Sequence, residues 1–231
     1  MAWTIYENSQ YGAGHGWSNT YEGTTDAQVN NAIEIYNYFG ALGWSLNAIA
    51  AMICEMQYES YLNPGQGEVN GYGGIGLVQW TDYPPWEPNT AKKNFLAFCK
   101  ANGVYWTDPN AQMYWLSIMP SGFWFKRNQY YLPFDQFKVS TLDPVYLARV
   151  WFESFERGTW ASIRGVGATG WYNYLAGGVP APSPDPVPNP QPPAPNPEPW
   201  YPPSGENPEP APEPEKPRQH RMPIYFYVKR M

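Results

Sequence analysis

The sequence predicts an α+β domain, mainly α, followed by a tail that cannot pack. Three observations carry this. Apolar residues recur at helical spacing between cap residues over most of the span 26–176. Glycines cluster between Gly65 and Gly76, where a helix is unfavourable and hairpins or tight turns are the natural use. After Gly177-Gly178 proline alternates with Ala, Asn, Glu and Asp over 179–218, a run that cannot form a core. The expected organisation is an arm over 1–25, one packed domain over 26–178, a Pro-rich linker over 179–218 and a short docking segment over 219–231.

The arm, MAWTIYENSQYGAGHGWSNTYEGTT, is polar, aromatic and glycine-rich, and is expected to lie extended on the domain. Asp26 caps a first helix over 26–43, with Val29, Ile33, Tyr36 and Phe39 or Leu42 as its buried stripe and Gly43 as its stop. Ser45 caps the next, whose apolar residues Leu46, Ile49, Ala50 and Ile53 share a face while Met52 and Met56 cover a second one. A helix apolar nearly all round belongs in the middle of a domain. So short a link makes these two helices packing neighbours.

The first charges of that central helix are Glu55 and Glu59, in its last two turns. A carboxylate there faces the negative end of the backbone dipole. Glu55 lies four residues earlier on the same face, where like charges repel. Partial burial acts in the same direction. All three effects favour the protonated form of Glu59, which is what general-acid catalysis near neutral pH asks of a carboxyl group.

The chain then runs through Asn63-Pro64-Gly65 and the glycines to Gly76-Leu77-Val78-Gln79-Trp80-Thr81, where residues 77–80 read as a short strand. Glu68 is the sole acid between Glu59 and Gln79 and the candidate second carboxylate; Asp82 is a weaker one. Glycines such as Gly76 permit turns and also let a ligand approach the backbone closely. Tyr72 and Trp80 are aromatic surfaces suited to the apolar faces of sugar rings. Tyr83-Pro84-Pro85-Trp86 forms a rigid aromatic loop beyond them.

Residues 89–102 read as an amphipathic helix with Phe95, Leu96, Phe98 and Cys99 inward and Gly103 as the stop. Asp108-Pro109 and Asp143-Pro144 each open a helix by placing proline in the first turn. Between these two helices, residues 121–141 are aromatic and loop-like, a possible flap. The second of the helices is expected to run to Phe155 and to lead into Glu156-Arg157-Gly158, whose charges read as structural pairs. A last helical stretch covers 160–176.

Taken together, Met56-Gln57-Tyr58-Glu59-Ser60, the Asn63-Pro64 turn, the glycine run and Gly76-Leu77-Val78-Gln79-Trp80-Thr81 resemble the phage tail lysozyme family, within the goose-lysozyme and lytic-transglycosylase superfamily. The resemblance covers about residues 26–176. The family's Tyr-Glu-Arg-Pro-like run is matched with Phe155 in place of Tyr and Gly158 in place of Pro. The resemblance implies a lysozyme-like domain with a helical lobe, a small Gly-rich β lobe and a cleft between them. It implies cleavage of the bond between N-acetylmuramic acid and N-acetylglucosamine in peptidoglycan glycan strands. Glu59 carries over as the catalytic acid, Ser60 as the hydrogen-bond partner that positions it, and Gln79 as a sugar contact. Glu68 is the candidate for the second carboxylate of a hydrolase, whereas a lytic transglycosylase manages with one, because the substrate's own hydroxyl attacks. The rival expectation is a glycan-binding or structural virion module of the same shape without turnover.

Composition narrows the classes further. The net charge of −6 argues against a nucleic-acid partner. No apolar run approaches the roughly 18 residues of a membrane span, and no basic-then-apolar leader is present. No metal-ligand spacing appears, with His15 and His220 the only histidines, and no cofactor is expected. Cys54 and Cys99 sit in helical patterns and read as buried free thiols. Mid-helix burial makes Cys54 a poor nucleophile for a His15-partnered peptidase.

The linker favours polyproline II at about 3.1 Å per residue, a reach on the order of 100 Å for its length. The segment Ile224-Tyr225-Phe226-Tyr227-Val228, with basic residues on both sides, is strand-like and too short to fold alone. It suits addition to the sheet edge of a virion or tail partner. The expected location is the virion or the cell-wall space.

Overall fold

The structure, a computed structural model, describes residues 3–5, 25–68, 73–82, 89–119, 122–158 and 161–178. The rest of the arm with His15, Tyr72, the 83–88 loop, the Pro-rich linker and the C-terminal segment lie outside the described residues. Seven α-helices are described: α1 Asp26–Ala41, α2 Leu46–Ser60, α3 Ala91–Asn102, α4 Pro109–Ile118, α5 Phe134–Val139, α6 Pro144–Trp151 and α7 Ala168–Gly178.

Helix α2 is the axis. Ala48 to Cys54 and Met56 are each fully buried, beneath α1, α6 and α7. Ser45 caps it as expected, its hydroxyl accepting from Ala48 N–H at 3.1 Å. Four aromatic rings, Phe39, Trp44, Phe137 and Trp151, join α1, α5 and α6 into the same core. Trp171 of α7 donates its indole N–H to Gln57 of α2 at 2.8 Å. Cys54 and Cys99 are free and buried.

Several expectations are corrected. The cap of α1 is Thr25 rather than Asp26: Thr25 accepts from Gln28 N–H while the Gln28 side chain accepts from Thr25 N–H, a reciprocal pair that only the residue before the helix can make. Its fully buried residues are Ala32, Ile35 and Phe39, and Leu42 is exposed. This face also carries Asn31, which bonds both ways to Thr4 and donates to the Leu62 carbonyl, so a piece of the N-terminal arm is tied onto the domain. The stretch 121–141 contains α5, hidden from a pattern reading because so few of its residues separate apolar neighbours. Helix α6 does not run straight to Phe155 but widens into a π-helical turn over Phe152–Glu156, ending at Arg157 with φ +63°.

No strand occurs among the described residues. The glycine-rich lobe holds two isolated antiparallel bridges, Gly67 with Ile75 and Ile75 with Trp80, and residues 76–79 form a turn. Gly76 and Gln79 both have positive φ, +75° and +51°, which turns Leu77-Val78-Gln79 out of any strand path. Among the described residues, the β lobe read from the sequence shows turns and bridges in place of strands.

Candidate active site

Helix α2 ends at Ser60, and Tyr61 and Leu62 follow in left-handed conformations that reverse the chain. Leu62 is fully buried, so its packing offsets the strained backbone. The Ser60 hydroxyl lies 2.8 Å from the Leu77 carbonyl and 2.9 Å from that of Met56, with no exposed surface. This corrects the role drawn from the resemblance. Ser60 is fully buried and bonds backbone rather than Glu59; it ties the end of α2 to the facing wall.

That wall is held by a second bolt which sequence reasoning missed. Gln112 of α4, fully buried, accepts from Leu77 N–H at 2.8 Å. It donates to the carbonyls of Pro64 and Trp106 at 2.8 and 2.7 Å. A Cβ on Gly76 would come within 2.7 Å of the Gln112 carbonyl oxygen, so Gly76 is what lets this side chain in. Its role is the close approach of protein to protein.

Between the end of α2 and this wall lies a cavity of about 210 Å³. Glu59, Glu156 and Arg157 line one side, and Val78, Gln79 and Thr81 the other. Phe123, Phe152 and Phe155 supply apolar surface. The structure thus brings Glu59 and Gln79 together across one groove. The Gln79 amide N–H₂ donates to Gly76 O at 2.9 Å and Gln66 O at 3.3 Å, which orients the side chain within its own turn. Trp80 touches the cavity from a buried position, 3% exposed and stacked on Phe95 at 4.1 Å between centroids; it is a core ring and not an open platform. Glu68 does not line the cavity: its carboxylate accepts from Gly74 N–H at 3.0 Å and closes its own turn. Asp82 accepts from the Thr90 hydroxyl beside the start of α3.

The charge environment of Glu59 was only half legible. Arg164, 8% exposed, reaches under the end of α2. Its Nε donates to Glu55 at 2.6 Å, and its Nη2 donates to both Glu59 and Glu156 at 2.8 Å. The guanidinium lies over the rings of Tyr58, 3.9 Å from the centroid, and Phe152, at 4.4 Å. Planar delocalised charge tolerates such a sandwich where an ammonium would not. Gly165, at φ +84°, lets this segment close on α6, since a Cβ would meet Val145 O and Ala148 at 2.9 Å.

Three carboxylates thus surround one cation. Burial pushes the Glu55 carboxyl up to about 7 against the pull of Arg164, with Glu59 adding to the rise. Burial, and next the charge of Glu59, hold Glu156 well above the usual carboxylate range. Arg164 is held above its ordinary value because the three acids outweigh its own burial. Glu156, expected to make a structural pair, makes it with Arg164. The π-helical turn is responsible: one wide turn directs Glu156 inward and sends Glu153 to Tyr130 N–H at 3.0 Å. The sequence signal for Arg164 was its isolation, as the lone charged residue between Arg157 and Asp185. Among the described residues no cluster of His, Cys, Asp and Glu could hold a metal ion.

Morphogenesis protein 1 of Bacillus phage B103 is 32% identical over 156 residues, which is 64% of this chain and 40% of that protein. The chain therefore spans well under half the length of this curated relative. The phage tail lysozyme family model matches residues 30–175, a span that contains every residue lining the cavity and the arginine behind it. By that match, over more than half its length, this chain belongs to the phage tail lysozyme family.

Proposed function

We propose that this protein cleaves the β-1,4 bond between N-acetylmuramic acid and N-acetylglucosamine in peptidoglycan, with Glu59 as general acid. The observation that carries the reading is the placement of Glu59. It is 27% exposed at a helix end, tied to Arg164 from behind, and open in front to a groove walled by Val78 and Gln79. Glu59 gives its proton to the glycosidic oxygen as the bond from that oxygen to the sugar's anomeric carbon breaks. An incoming hydroxyl then attacks that carbon, and its proton returns to the Glu59 carboxylate. Among the described residues, neither Glu68 nor Asp82 lines the groove to activate water. This supports attack by the substrate's own hydroxyl, closing an anhydro ring, over hydrolysis. A groove of about 210 Å³ lies below the roughly 300–1,000 Å³ of closed small-molecule pockets. It suits a polymer of which one ring enters while the strand runs on.

Clearing of purified cell walls, followed by mass spectrometry of the released fragments, tests this. Wild-type clearing that disappears in Glu59→Gln supports the enzyme, and an anhydro terminus identifies transglycosylation against the reducing end of hydrolysis. Binding without clearing in both proteins would instead establish a glycan-binding or structural module. The name of the phage B103 relative, a morphogenesis protein, supports carriage on a virion. In that setting residues 179–218 act as the spacer and 219–231 as the strand that docks to a tail or virion protein. Deletion of 219–231 is then expected to abolish particle association while sparing wall clearing.

A further inference from the structure

We propose that Glu156 is a positioning residue that shares one proton with Glu59, so that the two carboxyls act as a single acid. The proposal rests on the reading of Glu59 as the general acid. Its ground is the way the two side chains meet. Both accept from the same nitrogen, Arg164 Nη2, each at 2.8 Å. Their bonded oxygens can be no farther apart than those two legs laid end to end. The carboxyl groups of inverting glycosidases stand about 6.5–9.5 Å apart and flank the sugar, and those of retaining ones about 5–5.5 Å. Glu156 and Glu59 meet on one nitrogen, closer than the inverting separation that leaves room for a water between acid and base. What remains open to it is to hold the proton.

Charge supports this. The side chains of Glu55, Glu156 and Arg164 are all but buried, and one guanidinium cannot balance three carboxylates there. Like charges this close do not both ionise readily. Glu156 Oε1 is buried and meets no hydrogen-bond donor, a state that a neutral carboxyl tolerates better than a carboxylate. The charged and titratable groups facing Glu156 are Cys54, Glu55 and Glu59 of α2 and Arg164 of the segment before α7. On its own element Glu153 turns away to Tyr130 N–H, and Arg157 points to Phe125. When the shared proton has passed to the leaving oxygen, both carboxylates are left on Arg164 Nη2, which donates to each. When the attacking hydroxyl releases its proton, the pair takes it back. One proton leaves and one returns, so nothing else is required.

The test is the pH profile of kcat/KM on a soluble glycan fragment for the wild type, Glu156→Gln and Glu156→Asp. Glu156→Gln keeps the size and a donor but removes the charge that retains the shared proton. Its basic limb is expected about one pH unit lower, which raises the ratio of activity at low to neutral pH about tenfold. Glu156→Asp is expected to return the limb toward the wild-type position. A role limited to packing would lower the rate at all pH values and leave the limb in place, and that result overturns the proposal. Should Glu156→Gln fail to fold, carboxyl NMR titration of the wild type decides. Two coupled steps in the Glu59 and Glu156 signals support sharing, and independent single steps overturn it. Glu59→Gln is run alongside. Activity surviving in it removes the acid assignment and this inference together, whereas an inactive Glu59→Gln beside an unmoved Glu156→Gln limb removes only the sharing.

Discussion

Arg164 is the side chain on which the buried charges depend. Removing one partner of a buried ionic cluster leaves the others without compensation, which costs about 3–5 kcal/mol. Arg164→Ala is expected to destabilise the domain by that order and to abolish wall clearing. The thermal melt should recover partly at acid pH, where the carboxyls are neutral. Arg164→Lys should restore little, because a single ammonium cannot reach Glu55, Glu59 and Glu156 from within the Tyr58–Phe152 sandwich. Glu55 makes a separate prediction. Its carboxyl is raised in the folded protein from 4.5 to about 7 by burial, so the folded state binds its proton more tightly than the unfolded chain does. Its contribution is fully present below about 4.5 and is lost as pH rises to about 7. The melting temperature is therefore expected to fall across that window in the wild type, and less steeply in Glu55→Gln. Glu55 and Glu59 were legible as a like-charged pair from their spacing alone. The countercharge was not, because Arg164 lies 105 residues from Glu59 and only the tertiary fold joins them.

At the scale of elements, the caps were the most readable feature. Ser45, Asp108 with Pro109 and Asp143 with Pro144 mark helix starts by local chemistry, and α2, α4 and α6 begin where those residues place them. The glycine-rich wall was misread because its order comes from outside it. Ser60 and Gln112 hold Leu77 by its carbonyl and its N–H, and neither contact leaves a periodic trace. Gln112→Ala leaves three backbone partners unpaired, at about 1–3 kcal/mol for each buried group. It is expected to lower the denaturant midpoint markedly and to loosen Val78 and Gln79, so that the affinity for glycan fragments falls together with stability. The π-helical turn was equally silent. Gly158 shows how tightly it is packed: a Cβ there would lie 1.8 Å from the Phe152 ring. Gly158→Ala must push Phe152 off Arg164, and overpacking of this kind costs typically about 1–3 kcal/mol. A weaker melt together with slower wall clearing is the expected result.

At the scale of the molecule, the core closes within the family match. Among the described residues, the buried cluster runs from Ala32 to Leu175, with Trp3 packed against it from the N-terminal arm. The domain limits 26–178 are the expectation that composition gives, since a forty-residue run this rich in proline is a poor source of core. On this argument a chain ending at Gly178 needs no later residue to fold, and its melting temperature should match that of the full protein to within a few degrees. Its turnover of soluble glycan fragments should also be unchanged, since every group around the groove is retained. Intact walls are the informative substrate. If residues 179–231 only tether the enzyme to a particle, free truncated and free full-length protein will clear walls at equal rates. If truncation slows clearing of walls but not of fragments, the tail itself engages the wall, and the docking role proposed for 219–231 gives way to substrate capture.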